Sequence, residues 1–176
     1  MVIRIDSDEF KAWHEVGHAT VCLYLGGDLK GIEFLEGDAR GFAVARGCYV
    51  MPDTERSVAC GGFAAEYYLL RGGYVDGVDL NDPSVIAKVS DLIFSNAWSD
   101  HQDFVGRTVT EDNDFTKEEK EEFMHYAIEH VAPIFDQYFA KMKIVVSELL
   151  AERKIDGVRV KELLQIGAPH CEANKQ

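Results

Sequence analysis

Five residues near the start of the chain, His14-Glu15-Val16-Gly17-His18, have the types and spacing that metal-assisted hydrolysis requires. Histidines four residues apart share one face of a helix, one turn from each other, so both imidazoles can reach a single ion. Neutral imidazole nitrogen suits Zn2+, at metal–nitrogen distances of about 2.0–2.1 Å. Glu15 flanks that pair, where a carboxylate can take a proton from a water whose pKa zinc lowers to about 7. His14 and His18 are the expected ligands and Glu15 the expected general base. The bland alternative is two histidines and a glutamate on a surface helix. The apolar surroundings of this segment argue against that.

Two protein ligands are too few for a catalytic zinc, which normally has three plus a water. The extended pattern HExxHxxGxxH fails, because Tyr24 stands where its third histidine would be. The third ligand must come from farther along. Asp100 continues a helical stripe through Ile86, Val89, Ile93 and Ala97, which places an acid on a core-facing position. Buried carboxylates are rare unless paired or metal-bound. Asp103, one turn on, and Asp91 are its rivals, while His101 reads as an exposed helix histidine. Glu66, among Ala and Tyr residues, either hydrogen-bonds a ligand imidazole or has a structural partner.

The elements that must position these residues are mostly helical. A first helix starts near Ser7 or Asp8, with Asp6 and Glu9 spaced as a capping box, and stops at Gly26-Gly27. Gly31–Leu35 and Gly41–Ala45 flank a turn-like Glu36-Gly37-Asp38 and read as a hairpin, with Tyr49 and Val50 extending its second strand. Helical patterning runs from Thr54 to about Leu70. The pair Gly61-Gly62 inside it costs roughly 1 kcal/mol per glycine relative to Ala, which a close approach to the metal helix at Gly17 would offset. Asp82-Pro83 opens another helix. Thr116 and Glu119 form a capping box for a helix that meets Pro133 and continues to about Arg153, and a short helix follows near Val158–Leu164. The expected fold is mainly α with a small β-sheet, an α+β domain built around a zincin-like HExxH helix. It forms one domain over 1–176, with a catalytic core at 1–106 and a helical part at 107–176.

Three blocks of the sequence resemble the FtsH-type (M41) zinc peptidases. Ala12-Trp13-His14-Glu15-Val16-Gly17-His18-Ala19 is similar to their A-Y-H-E-A-G-H-A, and Gly61-Gly62-Phe63-Ala64-Ala65-Glu66 to their G-G-R-A-A-E. Ala97-Trp98-Ser99-Asp100 falls where the family has G-A-S-N-D, whose Asp is the third metal ligand. Arg40-Gly41-Phe42-Ala43, followed by Pro52, looks like the strand along the active-site cleft. The resemblance spans about residues 7 to 165. It implies a zinc peptidase in which Asp100 completes the ligand set and Gly41, Phe42 and Ala43 line the substrate. The departures also matter. No GxxxxGK[ST] segment and no membrane span occur, so neither ATP-driven unfolding nor anchoring carries over. Phe63 replaces the family's Arg, and Trp98 replaces a small or polar residue and is expected in the core.

Composition bounds the rest. Hydrophobic residues make up 47% of the 176 and charged residues 28%, values ordinary for a globular domain with a real core. The net charge of -13 and the lack of a basic stripe exclude a nucleic-acid binder. Cys22, Cys48, Cys60 and Cys171 show no CxxC pairing, so a zinc ribbon and a dense disulfide framework are not expected, and buried free thiols are. No apolar leader or membrane segment is visible, which points to a cytoplasmic protein without a membrane partner. The sequence is consistent with a homo-oligomer but does not require one. The expected activity is Zn2+-dependent hydrolysis of peptides or unfolded proteins. A non-enzymatic zinc-binding module and a hydrolase of non-peptide amides are the rival readings.

Overall fold

Ser7 starts the first helix: its Oγ accepts the Phe10 N–H at 3.1 Å. A computed structural model describes residues 2–5, 7–35, 43–110 and 113–167. The Glu36-Gly37-Asp38 turn, Gly41, Phe42, Asp6 and Cys171 fall outside the described residues. Helix α1 (Asp8–Tyr24) buries Phe10, Ala12, Trp13, Val16 and the run Ala19–Leu23, so it is a central helix rather than an amphipathic surface one. It packs against α3 (Gly61–Arg71) and α7 (Ala132–Glu152), with the Trp13 ring stacked on Phe139 at 5.1 Å.

The sheet has three antiparallel strands in the order β2-β1-β3: β1 (Gly31–Phe34), β2 (Ala43–Arg46) and β3 (Lys154–Asp156). Ile32 pairs with Ala45 on one side and with Ile155 on the other. The fold is therefore mainly helical with one small sheet, as the sequence indicates. Tyr49 does not lengthen β2 but forms a separate bridge with Asp28.

Two helices read from the sequence as continuous are each broken in two. The segment after Pro52 splits into α2 (Glu55–Ala59) and α3, with the break at Cys60 just before the glycine pair, which favours helix least. The stripe leading to Asp100 likewise splits at Ala97 into α4 (Pro83–Asn96) and α5 (Trp98–Val105). Ile86, its first member, is exposed.

Helix α6 (Lys117–Tyr126) passes through a π-turn (Ala127–Val131) into α7. Pro133 has no N–H to close the ordinary turn, and the wider turn accommodates that loss. Helix α8 (Gly157–Leu164) is capped by Asp156.

The start of α6 carries a pH-sensitive cap. Thr116 and Glu119 form both halves of a capping box, and the Glu119 carboxylate also accepts from Arg107 at 2.9 and 2.5 Å. Arg107, followed by the Thr116 N–H, pulls the Glu119 pKa down to about 2. A folded-state pKa below the unfolded one gives stabilisation that is present above about pH 4.5 and lost as pH falls toward 2. Amide exchange at residues 117–120 should therefore accelerate across that window in wild type but change little in Glu119→Gln. Equal acid sensitivity in both proteins would rule the cap out as its source.

Candidate metal centre

Three side chains from two distant elements converge. His14 and His18 project one turn apart from α1, and Asp100 arrives from the first turn of α5. His14 Nε2 lies 3.1 Å from Asp100 Oδ2, His18 Nε2 lies 3.2 Å from the same oxygen, and the two Nε2 atoms are 3.2 Å apart. Among the described residues this is the one group of histidine, cysteine and acidic side chains placed to hold a metal ion. Of the three acids weighed from sequence, Asp100 joins it, while Asp103 and Asp91 are exposed and do not.

The backbone puts the two helices in direct contact here. A Cβ on Gly17 would come within 2.7 Å of the Ala65 Cβ, and one on Gly61 within 2.7 Å of the His18 Cα. Both are closer than real side chains approach, so the helices meet main chain to main chain, as the glycine pair suggests. A Cβ on Gly62 would overlap the His14 imidazole itself. Gly62→Ala should therefore displace that ring and lower metal affinity more than about tenfold. Overpacking should add a stability loss of about 1–3 kcal/mol. A chelator-competition titration showing wild-type affinity for Gly62→Ala would contradict this.

Each imidazole is oriented by its other nitrogen. His14 Nδ1 lies 2.9 Å from Glu66 Oε1, and Glu66 is 1% exposed in the middle of α3. Of the two roles open to Glu66 from sequence, the geometry agrees with both: it meets the His14 imidazole and also accepts from Asn96. His18 Nδ1 lies 2.7 Å from the Val58 carbonyl, at the end of α2 where the break at Cys60 interrupts the helical ladder. Sequence reasoning does not find Val58. A main-chain acceptor leaves no mark on residue type, and only the broken helix exposes it.

These partners fix the proton positions. A carboxylate and a carbonyl can only accept, so both Nδ1 atoms donate, and both Nε2 atoms of the neutral rings present lone pairs. Two bare nitrogens and a carboxylate oxygen thus face one another with no donor between them. Asp100 Oδ2 is buried and has no hydrogen-bond partner among the described residues. A positive charge at the centre of the cluster would relieve this arrangement, and either a metal ion or a proton on an imidazole can supply it. Burial opposes charge on both rings, but Asp100, aided at His14 by Glu66, outweighs it and holds both imidazole pKa values above the usual range. Burial also opposes charge on Asp100, yet the two imidazoles hold its carboxyl well below the ordinary range.

The spacing of the donor set suits a small tetrahedral metal ion. A tetrahedron with bonds of about 2.0–2.1 Å has edges of about 3.3–3.4 Å, close to the three separations above. The ligand side chains are not sealed off: His14 is 10% exposed, and His18 and Asp100 are 13%. The chemistry of the set, two imidazoles and one carboxylate, leaves a fourth position for water.

Glu15 lies beside the trio rather than in it. Its Oε2 accepts the Ala45 N–H at 2.6 Å, on the edge of β2 facing away from β1. Burial raises its pKa, while His14, His18 and the Ala45 N–H act against that rise. A carboxylate poised closer to neutrality is a better proton carrier. The strand expected to line a substrate is described only from Ala43 onward, because Gly41 and Phe42 lie outside the described residues.

Several expectations need correction. Trp98 is not core: it is 42% exposed and packs edge-on against Phe115 at 4.9 Å. Its place in the first turn of a new helix, after the break at Ala97, turns it outward. His101 is not exposed but 2% accessible, stacked on Phe115 at 3.7 Å and on Phe123 at 4.5 Å, and burial lowers its pKa. Cys22 and Cys48 are not free thiols. They form a disulfide that ties the end of α1 to the residues just after β2. Cys60 is free and buried, as expected of a small apolar residue.

No protein-family model and no curated protein sequence matches the chain. The chain is an α+β domain whose HExxH helix contributes two of the three side chains of a group that could hold a metal ion. No described helix is long and apolar enough to cross a membrane.

Proposed function

We propose that the protein is a zinc-dependent peptidase of the FtsH-type (M41) kind, acting on peptides or unfolded proteins. The observation that carries this reading is the convergence of three lone-pair donors, His14, His18 and Asp100, with the Glu15 carboxylate at their side. Zinc bound there would lower the pKa of a water and polarise a carbonyl. Glu15 would take that water's proton and hand it to the departing amine. Glu66 and Val58 hold the imidazoles in the tautomer that leaves Nε2 free.

β2 is an edge strand and can receive an extended peptide by strand addition. The Ala45 N–H is already engaged by Glu15, so a substrate would use other groups of that edge unless Glu15 turns away. Among the rival readings, a metal-binding module without turnover needs the histidines but not a base, and Glu15 favours an enzyme.

Titration of metal-free protein with zinc, alongside cleavage of an unfolded protein and a fluorogenic peptide library, tests the reading. The expected result is one zinc per chain and cleavage that begins with zinc and stops with chelator. Stoichiometric zinc without cleavage would leave a binding module. Turnover confined to non-peptide amides would reassign the substrate.

A further inference from the structure

The Glu66 carboxylate does more than face His14. Its two oxygens also accept from Asn96 Nδ2, Oε1 at 3.2 Å and Oε2 at 3.4 Å. Asn96 is the last residue of α4, four positions before Asp100, on the other side of the break at Ala97. It is exposed, yet its amide reaches inward to a carboxylate that is 1% accessible. Burial raises the Glu66 pKa, and His14 and Asn96 are the groups that oppose that rise.

The geometry points to Asn96 as a positioning residue for the metal centre, acting through Glu66 on His14. This rests on the metal-site reading above. A carboxylate at the end of a flexible side chain orients an imidazole only if its own torsions are fixed. Bonds from one amide to both oxygens hold the carboxylate plane, which aims Oε1 at His14 Nδ1 and keeps the proton there. His14 Nε2 is then left bare toward His18 and Asp100. Asn96 also belongs to the segment that delivers Asp100, so one short stretch of chain both supplies a ligand and braces another. Groups that hold a ligand imidazole typically change metal affinity by about 10–100-fold when removed, and a brace one bond farther out should lie near the lower end.

The test compares Asn96→Ala, Glu66→Gln, Glu66→Ala and the double variant Asn96→Ala/Glu66→Ala as full-length protein. Zinc affinity is read by competition with a chromophoric chelator, metal-free thermal stability by calorimetry, and the His14 tautomer by long-range proton–nitrogen NMR. Asn96→Ala should lose about tenfold in zinc affinity. Its metal-free Tm should fall only slightly, because the Glu66 carboxylate keeps its bond from His14 when Asn96 is removed. The Nδ1-protonated fraction of His14 should fall. On the Glu66→Ala background the Asn96 substitution should have no further effect, the signature of action through Glu66. An independent structural role would instead give additive losses and a large fall in metal-free Tm, and would overturn the assignment. Wild-type zinc affinity in Asn96→Ala would overturn it alone, leaving the metal centre intact. Failure of the wild-type protein to bind zinc would overturn both.

Discussion

Glu15→Gln should keep zinc at wild-type stoichiometry and lose about 10²–10⁴-fold in peptide cleavage. The substitution isolates one property. A glutamine carbonyl can still accept the Ala45 N–H that now meets Glu15 Oε2 at 2.6 Å, so the side chain has a reason to stay in place. It is outside the donor trio, so metal affinity should move little. Only the ability to take and return a proton disappears. At about 1.36 kcal/mol per decade, the expected loss corresponds to roughly 3–5 kcal/mol of barrier, too large to arise from a small shift in packing. The measurement is kcat on a fluorogenic peptide with zinc content determined on the same sample. Cleavage at the wild-type rate by the glutamine variant would sink the general-base role.

Loss of the Cys22–Cys48 bond should be the largest single perturbation of stability outside the core. The two residues are 26 apart in sequence. Closing a loop of that length restricts the unfolded chain by an amount worth about 3–4 kcal/mol. For a chain of this size, that is roughly 10 °C in Tm. The effect should be local as well as global. Cys22 lies one turn beyond His18 on α1, and Cys48 lies just past β2, whose Ala45 holds Glu15. The bond therefore clamps the metal helix to the strand edge. Cys22→Ala/Cys48→Ala, or treatment with a dithiol reductant, should lower Tm by that amount and speed amide exchange at Ala45. Zinc affinity should change far less, because none of the three donors depends on the bond. An unchanged Tm on verified reduction would contradict the clamp. Disulfides of this kind persist in oxidising surroundings, which weighs against the cytoplasmic expectation drawn from the sequence.

The metal site was legible because its chemistry is written in residue type. HExxH spacing puts two imidazoles on one helix turn with a carboxylate beside them, and Asp100 was singled out by an apolar stripe together with the resemblance to the M41 block. The glycines were legible for a similar reason, since Gly17, Gly61 and Gly62 make sense only as a place where backbones touch. The helix breaks at Cys60 and Ala97 were not legible, because neither residue interrupts a helix by itself. Tertiary packing sets the angle, and the stripe through Ile86 to Asp100 looked continuous across a break. Those breaks explain the errors that followed: Trp98 turned out, His101 turned in, and Val58 gained a carbonyl role. β3 is three residues long, too short for its polar–apolar–polar alternation to stand out. The cysteine pair was missed because proximity of the end of α1 to the end of β2 is a property of the fold, not of spacing.

Asp100 and the two histidines belong to opposite ends of a long stretch of chain, and α5 is a short helix set off by breaks on both sides. Contacts between such distant segments must overcome the entropy of closing the intervening loop, so they tend to form late in folding. A chain emerging from synthesis would therefore acquire its helices and the α1–α3 contact before it acquired three ligands in one place. On the proposed reading, hydrolytic competence arrives only with the finished tertiary structure, and a partly folded copy could not cut its neighbours.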